Sequence, residues 1–484
     1  MIARNHITQT LLLVIVLYTP SVVTAQSSTN ADIGTILAQW HYPQYGWAVP
    51  RRIERPRAST SRILRGVLNL LQKNYVDDIS VKHELQRTLD ELTFTLLPHC
   101  VEAIIPIDKC NSSPRTCFMK SLRGITRNCE LNDRTLFYIA LKILMRGLDP
   151  YSELMDAEMF NELKVSTSGK FGGIGAVVSP RHGDYRVISC LDGQPAQNAG
   201  IQPGDVIEAV DGISIHGLVL LDVLRKVRGS VGSRIVLTIR DRESKELREI
   251  QLRRKLIKID AVKEPVTMDG ISYIRIVNFQ INTARNMRKA IRKILSTQQS
   301  PLRGIILDLR NNPGGLIDQA IAVADMFLDD STITELRGRG PEMNRVFKAK
   351  PGSTKTLVPI VVLINRGTAS AAEILAGALK GRSGVIVMGE RSFGKASVQG
   401  VFPLPNGMAI RLTTAHYFTP DGQNIEKRGI VPDIIAKDHP KEFLTPKSYL
   451  AMKQRPREDP LVDKAYQELS ATLAVSGPPF SNLY

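Results

Sequence analysis

Three short runs in the second half of the chain, GIILDL, VPIVVLI and GVIVMG, are apolar at almost every position. A strand that shows one face to water alternates apolar with polar residues, whereas a strand covered on both faces does not. Helix-spaced stretches surround these runs: TARNMRKAIRKIL before the first, then IDQAIAVADMFL and SAAEILAGALK between them. ISYIRIVNF reads as one further strand at the front. Strands and helices in alternation fit few architectures. The expectation is a multidomain α/β protein whose residues 256–470 form an α/β core around a buried sheet.

Upstream of Gly169 and downstream of it the texture differs. FGGIGAVV, YRVISCL and SRIVLTIRD are short β-like runs, joined by the turn-rich GQPAQNAGIQPGDVIEAVDGISI and followed by a helical LVLLDVLRKVRG. Residues 168–255 are therefore read as a small β-rich module. Residues 26–165 read as helical after a polar, Pro-containing arm. ILRGVLNLL, LQRTLDELTFTLL and DRTLFYIALKILMRGL carry the spacing, with Asp133 as the N-cap of the last. A Cys-rich insert at about 97–131 interrupts them, and residues 471–484 are expected to form a flexible tail.

The N-terminus has a basic MIARNH, a short apolar TLLLVIVLY and small residues before Ala25, the pattern of a secretory signal at residues 1–25. The run is shorter than the ~20 residues a spanning helix needs. Retention of the signal as a membrane anchor stays open. Export makes the local set Cys100, Cys110, Cys117 and Cys129 a candidate for two disulfides, with three pairings open. No C-x-x-C pair is present and His99 is the one nearby imidazole, so no metal is expected. Cys190 lies in an apolar run and reads as a small buried hydrophobe. The formal charge of +17 is spread along the chain without a basic tract or zinc-finger spacing, so nucleic acid is not an expected partner. Weak attraction to anionic envelopes is the lesser reading of that charge.

The chemistry concentrates in three places. Loop glycines in GGIGAVV let backbone N–H groups of Gly173, Ile174, Gly175 and Ala176 gather into an anion nest beside a strand edge. A peptide adding to that edge would leave its terminal carboxylate in the nest, with Leu220 and Val223 as the helical wall of the groove. LDLRNNPGG ends a strand in a tight turn that can aim an N–H into a site. In NRGTASAAEILAGAL, Ser370 sits where the apolar strand becomes a helix, among small residues. Thr368 or Ser370 as a plain N-cap is the bland alternative. A helix N-terminus also offers unpaired N–H groups, that of Ala371 among them, to an oxyanion. Lys395 follows after the next strand. A lysine buried beside apolar walls loses its proton and becomes a base for a serine. Gln399, four residues on, would hold the amine if this piece is helical. His416 is the competing base. No G-x-S-x-G elbow surrounds any serine, and no P-loop or dinucleotide fingerprint is present, so no nucleotide cofactor is expected.

With these pieces in order, from about residue 64 to 465, the chain resembles the C-terminal processing (tail-specific) proteases. The resemblance rests on KNYVDD, RGLDPYSELM, GKFGGIGAVV, LDLRNNPGG, NRGTASAAEI, GERSFGKASVQ and LTTAHYFTPDGQNIEKRGIVPDI. It implies a PDZ domain at 168–255 and a ββα-spiral, ClpP/crotonase-like serine protease core. It implies Ser370 as nucleophile, Lys395 as base, Gln399 as its support, and Ala371 with Gly314 as oxyanion donors. It implies no cofactor and cleavage through an acyl-enzyme. The substrates implied are exported proteins with apolar or unstructured C-terminal tails. A homo-oligomer, an adaptor protein and a periplasmic or cell-envelope location, membrane-associated through the N-terminus, complete that picture. Two other readings fit parts of the chain. A catalytically silent PDZ tail-binding protein would not need Ser370 and Lys395. Acyl-thioester chemistry on a related spiral fold sits poorly with a signal and a PDZ module.

Overall fold

The structure, a computed structural model, describes residues 59–96, 106–128, 132–181, 183–297, 301–352, 358–437 and 456–476. The signal, the arm to residue 58, Cys100, Cys129, His99 and the last residues after 476 lie outside the described residues.

The apolar runs build one six-stranded sheet. Its order is Val266–Met268, Ile271–Arg275, Gly304–Asp308, Ile360–Ile364, Val385–Gly389 and Ile434–Ile435. The first pair is antiparallel and the rest are parallel. Alternation along each strand explains the unbroken apolar sequence, because each face has its own cover. Ile305, Leu307, Val362, Ile364 and Val387 point into a core with helices Thr283–Thr297, Ile317–Ala324 and Ala371–Leu379. Ile306, Val361, Leu363 and Met388 point the other way, onto Leu461, Val462, Ala465 and Leu469 of helix Pro460–Ser476. That helix runs past residue 470, so the expected flexible tail cannot begin at 471: its apolar residues, down to Leu473, are needed to cover the sheet.

A second, antiparallel sheet is centred on the long strand Ala409–Phe418. Ser397–Pro403, Thr332–Gly338 and Glu153–Met155 all pair with it. The last of these comes from the N-terminal region, so the helical region and the α/β core share a sheet. Leu154, Ile410 and Leu412 join the core of helices Thr60–Asn74, Val81–Leu96, Pro114–Asn128 and Asp133–Arg146. The Cys-rich insert is therefore not an interruption. Its helix Pro114–Asn128 buries Cys117, Phe118, Leu122 and Ile125 in that core, and Cys110 is bonded to Cys117. Helix Asp133–Arg146 is capped by Asn132, whose side chain accepts from the N–H groups of Arg134 and Thr135. Asp133, the expected cap, is the first helical residue, where its charge faces the helix dipole.

The β-rich module is a sheet ordered Ala176–Arg181, Asp184–Cys190, Val206–Val210, Arg234–Arg240 and Leu247–Arg253, with helix Leu220–Val227. Lys170–Gly173 and Lys255–Lys258 pair with each other at its root. Ala176–Arg181 is an edge strand, as a peptide-accepting groove requires. Gly175 has φ +77°, and a Cβ there would fall 2.4 Å from the Gln194 Cβ. Ile174 is buried in the module core, and so is Val223, at 1% exposure. Val223 therefore packs inside the module and is not placed to wall a groove, because the helix turns that face to the sheet. Leu220 stays partly exposed. Cys190 is half-buried, with burial pushing its thiol up to about 11, in keeping with an unreactive side chain. Among the described residues no helix is long and apolar enough to cross a membrane.

Candidate active site

Two parallel strands, Gly304–Asp308 and Ile360–Ile364, end side by side, and the loops leaving them are stitched together. Asn311 N–H donates to Asn365 Oδ1 (2.9 Å), Asn365 Nδ2 donates to Asn311 Oδ1 (3.1 Å), and Ala369 N–H donates to the Asn312 carbonyl (2.9 Å). Thr368 is fully buried. Its hydroxyl accepts from Asn365 N–H and donates to the Leu309 carbonyl, so it bridges the strands and caps no helix.

The stitching brings Gly314 against Ser370. A Cβ on Gly314 would lie 2.8 Å from the Ser370 Cβ and 2.9 Å from the Ala371 nitrogen, and its φ is +98°. Only glycine fits both the space and the backbone. Its N–H donates to Asn312 Oδ1 at 2.9 Å, so this donor faces its own loop, and reaching an oxyanion requires that peptide to turn.

Ser370 occupies the N-cap of helix Ala371–Leu379 with φ +55° and ψ −121°, outside the regions an L-residue ordinarily takes. Such strain persists only where surroundings over-determine it. Here the surrounding group is Glu373, fully buried in the first turn. Its Oε2 accepts both Ser370 N–H (2.9 Å) and Lys395 N–H (2.9 Å). Its Oε1 accepts Gly394 N–H (2.7 Å) and the Ser392 hydroxyl (2.5 Å). Glu373 and Ile374 N–H groups bond to the Ser370 carbonyl (2.8 and 3.1 Å), so the turn already has main-chain partners. One carboxylate oxygen holding both amides keeps the Ser370 and Lys395 nitrogens within twice that bond length. Tyr417 adds a second tie, its hydroxyl 2.7 Å from the Lys395 carbonyl and 3.2 Å from that of Ser370. Burial raises the Glu373 carboxyl above the usual carboxylate range, against the four donors that favour its charge.

Lys395 is half-buried, and burial lowers its amine from 10.5 to about 8. Within that net shift Arg411 acts with burial, while Glu426, Glu153 and Asp149 act in the opposite sense. Its Nζ lies over the Tyr151 ring, 4.8 Å from the centroid. Among the hydrogen bonds of the described residues, none joins this Nζ to Ser370 Oγ, so the two residues stand adjacent in the fold without their side chains being engaged. Catalytic bonds of this kind commonly tighten only when substrate is present.

Gln399 departs from expectation. It lies in strand Ser397–Pro403, beyond a bulge at Val398 and Gln399, and its Nε2 donates to Ser397 Oγ (2.8 Å). Pairing with Ala409–Phe418 overrides any local helical tendency, so a one-turn spacing from Lys395 does not exist. His416 shares a strand with Tyr417 and is its immediate neighbour. Because Tyr417 faces Ser370, alternation sends His416 to the opposite face, where its Nδ1 is buried without a hydrogen-bond partner. Glu373, Tyr417, Tyr151, Glu426 and Arg411 were not anticipated. Only Glu373 had a local signal, the Ser-Ala-Ala-Glu capping-box spacing of residues 370–373.

The profile of peptidase family S41 matches residues 270–436, and that of a PDZ domain matches residues 187–241. A carboxy-terminal-processing protease of Bartonella bacilliformis is 42% identical over 307 residues, covering 63% of this chain and 70% of that protein. The carboxy-terminal processing protease CtpA of Bacillus subtilis is 35% identical over 312 residues, covering 64% and 65% respectively. Among solved structures, the photosystem II D1 C-terminal processing protease aligns with TM-score 0.46 at 28% identity, over 78% of this chain and 94% of that one.

Proposed function

The chain belongs to the carboxy-terminal-processing proteases of peptidase family S41, serine-type peptidases, and carries a PDZ domain; from that premise we propose that it is an exported endopeptidase working through a Ser370–Lys395 dyad. The observation that carries the dyad is Glu373 Oε2, which accepts the amides of both residues. The lowered Lys395 amine supports it, since an amine near 8 supplies far more of the neutral base than one at 10.5.

In this reading Lys395 Nζ leaves the Tyr151 ring and takes the Ser370 proton as Oγ attacks the scissile carbonyl. The oxyanion meets the Ala371 N–H at the helix N-terminus and Gly314 N–H once its peptide turns from Asn312. Collapse expels the C-terminal fragment as an amine that receives the proton from Lys395, leaving an acyl-Ser370. Water, deprotonated by Lys395, then hydrolyses the ester. Gln399 enters only by moving from Ser397. The substrate tail adds to the edge strand Ala176–Arg181, with its carboxylate at the 173–176 loop and its apolar residue toward Leu220. Export through residues 1–25, a cell-envelope location, an adaptor and a homo-oligomer belong to the same reading.

The test is cleavage of an unfolded reporter ending in an apolar tail by wild type, Ser370→Ala and Lys395→Ala. Loss in both folded variants is the expected result. Undiminished cleavage by Lys395→Ala removes the base from the mechanism.

A further inference from the structure

The DPYSEL segment, residues 149–154, has no part in the dyad described above, yet it lies against Lys395. It leaves the helical region and is fastened to the long strand Ala409–Phe418. The Asp149 carboxylate accepts the N–H groups of Tyr151 (2.8 Å) and Ser152 (2.9 Å) and the Thr413 hydroxyl (3.0 Å). Thr413 N–H donates in turn to Ser152 Oγ (3.0 Å). Glu153 lies opposite Arg411 in the sheet and is salt-bridged to it at 2.6 Å. The loop so fixed presents the Tyr151 ring 4.8 Å from Lys395 Nζ. The far end of the ring is fixed too. Tyr151 OH donates to Glu426 Oε1 (2.9 Å), and Glu426 Oε2 accepts the N–H of Ala396, the residue after Lys395 (2.8 Å).

We infer that Tyr151 is a positioning residue for Lys395, so that the helical region supplies part of the protease site. An aromatic face attracts an ammonium and has no such hold on a neutral amine. The ring therefore parks the charged side chain and frees it for Ser370 when the proton leaves. The other charged groups facing this amine are Arg411 on the long strand, Glu426 in the following loop, and Glu153 and Asp149 on the DPYSEL segment. None of them offers a face on which the amine can rest. The inference rests on the Ser–Lys reading, and its test separates the two.

The full chain is assayed with the tailed reporter across pH as wild type, Tyr151→Leu, Tyr151→Phe and Lys395→Ala. Tyr151→Leu lowers kcat about 3- to 10-fold with KM unchanged, because the ammonium that forms as Lys395 takes the Ser370 proton loses its π partner. It also moves the acid limb of kcat/KM down by about 0.5–1 pH unit, because the ammonium loses its π partner. Tyr151→Phe keeps the ring and restores both. Should the leucine variant fail to fold, pentafluorophenylalanine at position 151 keeps the ring's shape but inverts its charge distribution. Relative to Tyr151→Phe, that limb should then move down in the same way. An unshifted limb and wild-type kcat without the π face, with Lys395→Ala inactive, overturn the positioning role alone. Activity in Lys395→Ala overturns the dyad and this inference with it.

Discussion

Replacing Lys395 by methionine should abolish activity and stabilise the fold. Methionine keeps the length and apolar stem of lysine and removes the charge. Burial lowers the amine from 10.5 to about 8, so keeping it charged inside the folded protein carries a cost. At about 1.4 kcal/mol per pH unit the cost is about 3 kcal/mol. Loss of the contact with the Tyr151 ring subtracts about 0.5–2 kcal/mol. The net gain expected at pH 7 is about 1–3 kcal/mol. The pH dependence fixes the cause. Below pH about 8 the lysine is protonated both folded and unfolded, and the methionine variant holds its full advantage. Between about 8 and 10.5 the unfolded chain binds the proton and the folded one does not, so wild-type stability rises with pH and the advantage shrinks. Urea unfolding at a series of pH values, beside reporter cleavage, measures both. A variant that is less stable than wild type at pH 7, or a difference that does not shrink over that window, refutes the reasoning.

Glu373→Gln should weaken fold and activity together, because an amide NH2 replaces one oxygen that receives two donors, leaving two buried groups unmatched. At about 1–3 kcal/mol each, a loss of about 2–6 kcal/mol is expected in chemical unfolding, with cleavage down by at least about 100-fold. Gly314→Ala forces a Cβ to within 2.8 Å of the Ser370 Cβ at φ +98°, so activity should fall by two or more orders of magnitude while the PDZ sheet keeps its melting behaviour. Amidating the reporter's C-terminus removes the carboxylate proposed to occupy the 173–176 loop. KM should rise about tenfold or more, a loss of about 1.4 kcal/mol, at constant kcat.

Much of the fold was legible because its signals are local. Gly304–Asp308 and Ile360–Ile364 are apolar throughout because helices cover one face and Pro460–Ser476 the other, and the sequence records both. The strand-to-helix corner at Ser370 and the glycine turn beside it were readable for the same reason. What failed depended on partners far along the chain. The four-residue spacing of Lys395 and Gln399 has meaning only in a helix, and the conformation of Gln399 is set by pairing with Thr413. Val223 carries the apolar spacing of a groove wall, and the same spacing serves a helix turned inward onto its sheet. Tyr151 and Glu426 are separated by most of the chain and meet through folding alone. Asn132 and Asp133 are both capping residue types, and which of them caps is decided by a hydrogen bond no composition shows.

The central claim is that Ser370 is a nucleophile activated by Lys395. Labelling with a fluorophosphonate, mapped by mass spectrometry and timed across pH, tests it most directly. The account predicts one labelled residue, Ser370, at a rate that rises through pH about 8 as the Lys395 amine loses its proton, and no labelling in Lys395→Ala. Labelling at another serine, or an unchanged rate in Lys395→Ala, would contradict it.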